Sequence, residues 1–448
     1  MFIFNPIIAQ IPDVAPPTPQ EIIQPQTVRP LPGSLDNIPV FNSNSPELVL
    51  NEGILLSTFP GDGKQYPQAH LNFAFTGRFD IFAHHVARAP SPDNLRSLYI
   101  AIVVYNPNNK PVTIDILQAS TYLSQPDAPF IDLPPQVQDY EGRVYAGPGS
   151  RVAGDILRGY RDPQFPPSIT LAGGETGLLM NLPIPVKDLT PPLNGRSTYL
   201  RLNSSDKVYV ASLSLYAPVD ETGNERAPNI NEWQSVLTNA NLVTPRDKVP
   251  TLPEQIGGIV YGRVAGVTKG SQWQAQLTDD LSSTLTISDK GQSFSYGIST
   301  LEGGKLGTDQ SQSAPILARY HDTAYKSHGN YGVQYNLTLP LYNPTSNLQT
   351  VTISLQTPIK QEKLDGGLRF LNGVVSPVFY RGPVRVSYKD NYGQQQSKYF
   401  HIVQRRGEKG SPLLILSLEP QQTKEVQIDL IYPPDATPPQ VLTITTEN

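Results

Sequence analysis

Histidine is scarce in this chain, with six in all, and two of them stand side by side. His84 and His85 end the apolar run Phe79-Asp80-Ile81-Phe82-Ala83. Neighbours on a strand face opposite sides, so this pair cannot clasp one metal ion, whereas Asp80 and His84 share a face and could meet His70. The simpler expectation is one interior histidine and one facing solvent, and no metal is assigned. His321-Asp322 and His328 fall in a polar loop rich in Tyr and Lys, where turn chemistry accounts for them. Among carboxylates, Asp155, Glu175 and the pair Asp279-Asp280 could in principle do acid–base work on a glycosidic bond. The separation that such a pair needs is set by the fold, so none is assigned a catalytic role. Asp279-Asp280 is expected to cap a turn before a strand at 283–288.

Short motifs exclude more than they suggest. Pro60-Gly61-Asp62-Gly63-Lys64-Gln65 ends in Gly-Lys but lacks the earlier glycine and the Ser or Thr of a phosphate loop, so it reads as a surface turn. Gly149-Ser150-Arg151-Val152 is not a nucleophile elbow. Neither a His-Glu-x-x-His helix nor a calcium loop of the Asp-x-Asp-x-Asp-Gly kind occurs. No cofactor is expected. Sugar recognition fits the aromatic inventory better, because 22 tyrosines accompany only two tryptophans, Trp233 and Trp273. Tyr320, Tyr325, Tyr331 and Tyr335 gather around one loop with His321, and these five are the candidate ligand-binding residues. A tyrosine offers an apolar face and a polar tip, although strands also favour it for packing alone.

The elements that must position these residues are strands. The chain holds 34 Gly and 45 Pro in 448 residues, and both disfavour helix interiors. Charged residues are 16%, against roughly 25% in an average soluble domain. Short apolar runs such as 98–105, 112–117, 208–216, 335–341, 413–418 and 426–432 alternate with turn clusters such as Pro107-Asn108-Asn109-Lys110-Pro111, the pattern of sandwiches and barrels. One short helix is expected around Asn231 to Leu237, apolar at Trp233, Val236 and Leu237.

An internal duplication is the strongest long-range signal. Tyr105-Asn106-Pro107, then Val112-Thr113-Ile114 and Leu117-Gln118, is answered by Tyr342-Asn343-Pro344, then Val351-Thr352-Ile353 and Leu355-Gln356. Two further anchors keep an offset of about 235 residues, the spacing expected of a repeated unit. They are Tyr145-Ala146-Gly147-Pro148 with Tyr380-Arg381-Gly382-Pro383, and Leu178-Leu179 with Leu413-Leu414. The reading is therefore all-β: two related β-sandwich domains, immunoglobulin-like or jelly-roll-like, at 47–220 and 257–448. A linker at 221–256 carries the short helix. Residues 1–46 form a signal remnant and an arm, with nine prolines between 11 and 46, expected as an extended spacer.

Net charge is −5, and Lys and Arg are spread thinly, which argues against nucleic acid as a partner. No apolar stretch reaches 18 residues, so no transmembrane segment is expected. There is no cysteine, which removes disulfides and thiolate chemistry. Met1-Phe2-Ile3-Phe4-Asn5-Pro6-Ile7-Ile8-Ala9-Gln10 reads as the tail of a signal segment whose basic start lies upstream, pointing to periplasm, envelope or medium.

Both Asn-Pro turn units resemble the hairpins of bacterial immunoglobulin-like modules. Phe41-Asn42-Ser43-Asn44-Ser45-Pro46-Glu47 and Glu52-Gly53-Ile54-Leu55-Leu56-Ser57-Thr58-Phe59-Pro60 resemble a cyanobacterial family of uncharacterised secreted or cell-envelope proteins. That resemblance implies an envelope or extracellular setting and carries over no activity and no catalytic residue. The expected function is a non-catalytic scaffold, adhesion or polysaccharide-associated module, with an envelope polysaccharide or protein as its partner. The alternative is a hydrolase of envelope polysaccharide or peptide, with a carboxylate-based site between the domains.

Overall fold

The computed structural model describes residues 19–253, 255, 257–373, 375 and 377–448. The N-terminal run 1–10, read above as a signal remnant, lies outside them. The described chain is all-β with two α-helices, and it forms two sandwiches, each closed around its own apolar core.

The two sandwiches repeat one strand plan. In the first, Leu98–Tyr105 pairs antiparallel with Thr176–Ile184, and Val112–Leu123 lies between Ser168–Leu171 and Leu193–Tyr216. In the second, Gln334–Tyr342 pairs with Thr423–Ile431, and Gln349–Gln356 lies between Pro412–Leu418 and Gln440–Thr446. The Tyr-Asn-Pro motif marks the same corner in both. The Asn106 side-chain amide donates to Lys110 O at 2.8 Å, Leu171 O at 3.1 Å and Ala172 O at 3.0 Å. The Asn343 amide donates to Asn347 O at 2.8 Å, Leu418 O at 3.0 Å and Glu419 O at 3.1 Å. Both asparagines are 0% exposed. Each sews a turn to the end of a strand distant in sequence, and so leaves no buried carbonyl unpaired there.

The other two sequence anchors do not coincide in space. Gly147 caps the N-terminus of helix α1 (Pro148–Leu157), while Gly382 sits within the strand Val378–Lys389. Leu178 lies in Thr176–Ile184, whose counterpart is Thr423–Ile431 rather than the Leu413 strand. Short Gly-Pro and Leu-Leu matches recur in any β-rich chain. The buried asparagine corner is more demanding, because three acceptors must converge on it.

Helix α1 was not legible in advance, since a Gly-Pro-Gly-Ser opening reads as a turn. Its proline occupies the first turn, where no N–H partner is needed. Val152, Ala153, Ile156 and Leu157 then pack on Tyr199 of the first sandwich and Ile431 of the second. The expected helix is α2 (Ile230–Asn239), with Asn229 and Glu232 forming a capping box and Trp233 and Leu237 buried. It covers the outer face of the sheet that contains Ala101, Val103 and Leu213.

The boundaries read from the sequence are crossed in three places. Pro39–Ser43 lies between Phe75–Arg88, to which it is parallel, and Ala265–Lys269, to which it is antiparallel; Ala314–Arg319 continues that sheet. Gly266 permits the junction, because a Cβ there would stand 2.3 Å from Ala318 O. Gln136–Gln138 in turn joins the second sandwich beside Gln395–Arg405. The described part of the arm, from residue 19, is also packed and not a free spacer, while 11–18 lie outside the described residues. Gln20–Gln24 pairs with Leu368–Asn372, Thr27–Arg29 runs parallel to Ser293–Ile298, and Leu31 is 1% exposed in the second core. Proline removes a donor but not the acceptor, so a proline-punctuated segment still serves as an edge strand. A buried polar cluster locks the seam: Tyr199 OH, 3.0 Å from Asp80 Oδ2 on its own side, lies 2.8 Å from Gly332 O across it, and Arg201 donates to Gln334 Oε1 at 2.6 Å.

Candidate functional site

The segment Phe41–Glu47 runs along this seam, and its polar residues Asn42, Ser43, Asn44 and Ser45 are all buried. Alternation divides their work. Phe41 enters the first core, and Ser43 turns to His85. The His85 Nδ1–H donates to Pro46 O at 2.9 Å, so Nε2 accepts from Ser43 Oγ at 2.9 Å. Burial holds that imidazole at about 4, which keeps it neutral as this pattern requires. Ser45 Oγ donates to Asp247 Oδ2 at 2.6 Å. Glu47 pairs with Arg263 and lies 3.6 Å from His84 Nε2, and Arg263 Nε is 3.4 Å from Asp247. Burial alone would raise the Glu47 carboxyl, but the His84 hydrogen bond and the Arg263 charge outweigh it and hold it low.

Asn42 and Asn44, on the remaining face, line a cavity of about 430 Å³. They are 2% and 3% exposed, and their side-chain oxygens have no hydrogen-bond partner among the described residues. The opposite walls come from the second half of the chain: Tyr261, Arg263, His328, Tyr331 and Lys360, with Lys248 at the rim. Tyr261 OH donates to Glu302 O at 2.5 Å and accepts from Lys360 Nζ at 3.0 Å. Its ring lies 4.8 Å from the His328 ring, centroid to centroid. Burial brings His328 down to about 4, with Lys326 and Lys360 adding repulsion. Tyr331 OH donates to Ala436 O at 3.1 Å, and burial pushes it up to about 12. A second cavity, also about 430 Å³, shares Val260, Tyr261 and His328 and continues past Tyr325 to Leu252 and Ile259.

The five sequence candidates are dispersed. Tyr331 lines the first cavity and Tyr325 the second, where Arg319 covers its ring at 3.8 Å. Tyr320 is buried in the first core, accepting from Ser57 N and donating to Ala69 O. Tyr335 is 0% exposed in the second core, with its hydroxyl donating to Gln312 and accepting from Asn330. Neither has a face left for a sugar, because a tyrosine pointing inward from a strand contributes to packing. His321 is exposed, and its carbonyl accepts from Arg319 at 3.2 Å. Sequence reading missed Asn42, Asn44, Tyr261, Arg263 and Lys360. The available signal was Asn-Ser-Asn-Ser directly after an apolar strand, the segment that also carried the family resemblance.

The other candidates are structural. His70 pairs with Ser57 Oγ at 2.8 Å, apart from His84 and from Asp80, whose partners are Arg78 and Tyr199. Among the described residues, no three His, Cys, Asp or Glu form a metal-holding group. Asp155 accepts from Ser120 and Tyr122, Glu175 from Ala172 N, and Asp279 from Arg29 and Thr286 N, the last closing the expected turn. Cations do gather at Arg405, Arg406 and Lys409, neighbours in the sequence and beside a groove of about 500 Å³, a local exception to the thin spread of Lys and Arg.

Comparison with solved structures returns a crystal structure of pumpkin seed globulin, 13% identical, covering 82% of this chain and 77% of that chain with a TM-score of 0.09. It also returns a recombinant pro-11S globulin of pumpkin, 12% identical over the same shares with a TM-score of 0.10. Scores that low carry no argument about fold or function. No curated protein matches the sequence. No described helix is long and apolar enough to cross a membrane. One family model, described as a protein of unknown function (DUF3370), matches residues 26–446, which include the Asn42–Glu47 segment, both sandwiches and both asparagine corners; the chain belongs to that family.

Proposed function

We propose that this is a non-catalytic, polysaccharide-associated binding protein of the bacterial cell envelope, and that a sugar unit occupies the cavity beside Asn42 and Asn44. The observation that carries this reading is a pair of buried asparagines in the lining of a cavity that tyrosines also line, their side-chain oxygens without a hydrogen-bond partner among the described residues. An unpaired buried acceptor costs about 1–3 kcal/mol, and a sugar hydroxyl would supply the missing donor. Tyr261 and Tyr331 add the aromatic surface on which a pyranose packs. The exported, cyanobacterial setting is part of the same proposal and rests on the family resemblance.

The hydrolase alternative is less well supported. A glycosidase needs two carboxyl groups with opposed pKa values at the bond to be cut. At this cavity Asp247 is tied to Ser45 and Arg263, and Glu47 is held low by His84 and Arg263. Asp435 is pushed up by burial, but it does not line the cavity.

The test is calorimetric titration of the full chain with a panel of wall oligosaccharides, alongside the double variant Asn42→Ala/Asn44→Ala. Wild type should bind members of the panel without releasing reducing ends. The double variant should lose at least tenfold in affinity with little change in thermal midpoint, since the oxygens removed have no hydrogen-bond partner among the described residues. Unchanged affinity in the variant, or no binding by wild type, overturns the proposal.

A further inference from the structure

We infer that the sugar taken by this cavity is acidic, a uronate whose carboxylate meets Lys248 and Lys360. This rests on the saccharide reading above and deepens it to a ligand class. The argument is a charge inventory of the walls. Each acidic group at the cavity is already compensated: Asp247 by Arg263 and Ser45, and Glu47 behind it by Arg263 and His84. The guanidinium of Arg263 is committed to those two carboxylates. His328 is neutral at physiological pH because it is buried. What remains is Lys248 and Lys360, both exposed, and neither has a carboxylate partner among the described residues.

Lys360 is also placed rather than loose. Tyr261 gives its proton to Glu302 O, so its oxygen can only accept from the ammonium at 3.0 Å. One Lys360 N–H is thereby spent on the cavity wall, and two are left for a ligand. The adjoining cavity does not compete for the anion, because Lys326, the lysine in its lining, is paired with Glu302, which lines it too. The anionic part of the ligand belongs at Lys248 and Lys360, and its hydroxyl-bearing part at Asn42 and Asn44.

The measurement compares uronic acid oligomers (galacturonic, glucuronic and mannuronic) with their methyl esters, which keep the rings and remove the charge. Titration of the full chain should give at least tenfold tighter binding of an acid than of its ester, equivalent to about 1.4 kcal/mol. In the Lys248→Gln/Lys360→Gln variant the ratio should fall to about one. Raising salt from about 0.1 M to about 1 M should shrink the ratio in wild type, because the Debye length contracts from about 10 Å to about 3 Å. Equal affinity for acid and ester in wild type, or a ratio untouched by the double variant, overturns the acidic assignment and leaves the saccharide reading standing. Failure of both series to bind overturns the acidic assignment, and failure of the whole wall-oligosaccharide panel as well overturns the saccharide reading with it.

Discussion

Asn106 and Asn343 show how much a single buried side chain can specify. Each is 0% exposed and directs its amide at three carbonyls, two of them at the end of a strand at least 65 residues away. The side-chain oxygen of each also accepts a backbone N–H two residues on, from Asn108 and from Thr345. Alanine at either position would leave those carbonyls without a donor in a dry corner. Asn343→Ala should therefore lower stability by about 3 kcal/mol, and Asn106→Ala by a similar amount. Urea unfolding of the full chain measures both, and a loss under about 1 kcal/mol would mean that the corner contributes little. Asn42 and Asn44 make the opposite case. Their buried oxygens have no partner among the described residues, so alanine there should be tolerated by the fold and felt only by a ligand.

At the scale of elements, the arm is the least expected result. Proline spacing suggests PPII, yet Glu21-Ile22-Ile23-Gln24 and Thr27-Val28-Arg29 keep enough donors and β-formers to add edge strands to the second sandwich. The closer to the core, the more it matters. Ile22 and Ile23 are 38% and 48% exposed, whereas Leu31 is buried and its backbone exchanges hydrogen bonds with Gln310. The Trp273 indole donates to Pro32 O at 2.8 Å. A chain begun after residue 24 should stay within about 1 kcal/mol of the full protein, as fits a half-exposed edge. One begun after residue 36 should lose about 3–5 kcal/mol through the cavity left by Leu31 and the orphaned indole. Thermal unfolding of the two truncations separates these outcomes, and equal stability would show that the arm is not integral.

At the scale of the whole molecule, the two sandwiches are joined by a shared sheet, a bridging helix and a buried polar cluster, so they should unfold in one transition. Its pH dependence is set largely by histidines. Burial depresses His70, His85, His328 and His401 to about 4 from an ordinary value of 6.5. The unfolded chain takes up these protons first as pH falls, so the stability is complete above about 6.5 and drains away as pH drops toward 4. Asp155 and Asp435, raised by burial, act in the opposite sense as they protonate. With four depressed histidines against two raised carboxyls, the thermal midpoint should fall steadily between pH 6.5 and 4. A flat profile across that window would contradict the buried, neutral assignment.

Strand class, the two-sandwich plan and the asparagine corners could be read in advance because they are local or repeated. Alternation over six to eight residues states which face is buried, and a motif that recurs with its flanking strand states that the unit recurs. The helix at Ile230–Asn239 was legible for the same reason, from one apolar face with its cap. The seam was not legible. Whether Pro39–Ser43 pairs with Phe75–Arg88 or Ala265–Lys269, or with both, depends on edges that exist only once each sheet has formed. The candidate cavity lies on that seam, drawing Asn42 and Asn44 from one end of the chain and Tyr261, His328 and Lys360 from residues more than 200 positions away. Tyrosines clustered in sequence were parted by the local path of the chain: Tyr335 enters a core from its strand, while Tyr331 sits in the turn before that strand, at a cavity wall. Residue type and local period determined the elements, while the long-range pairing of sheet edges decided which side chains share a site.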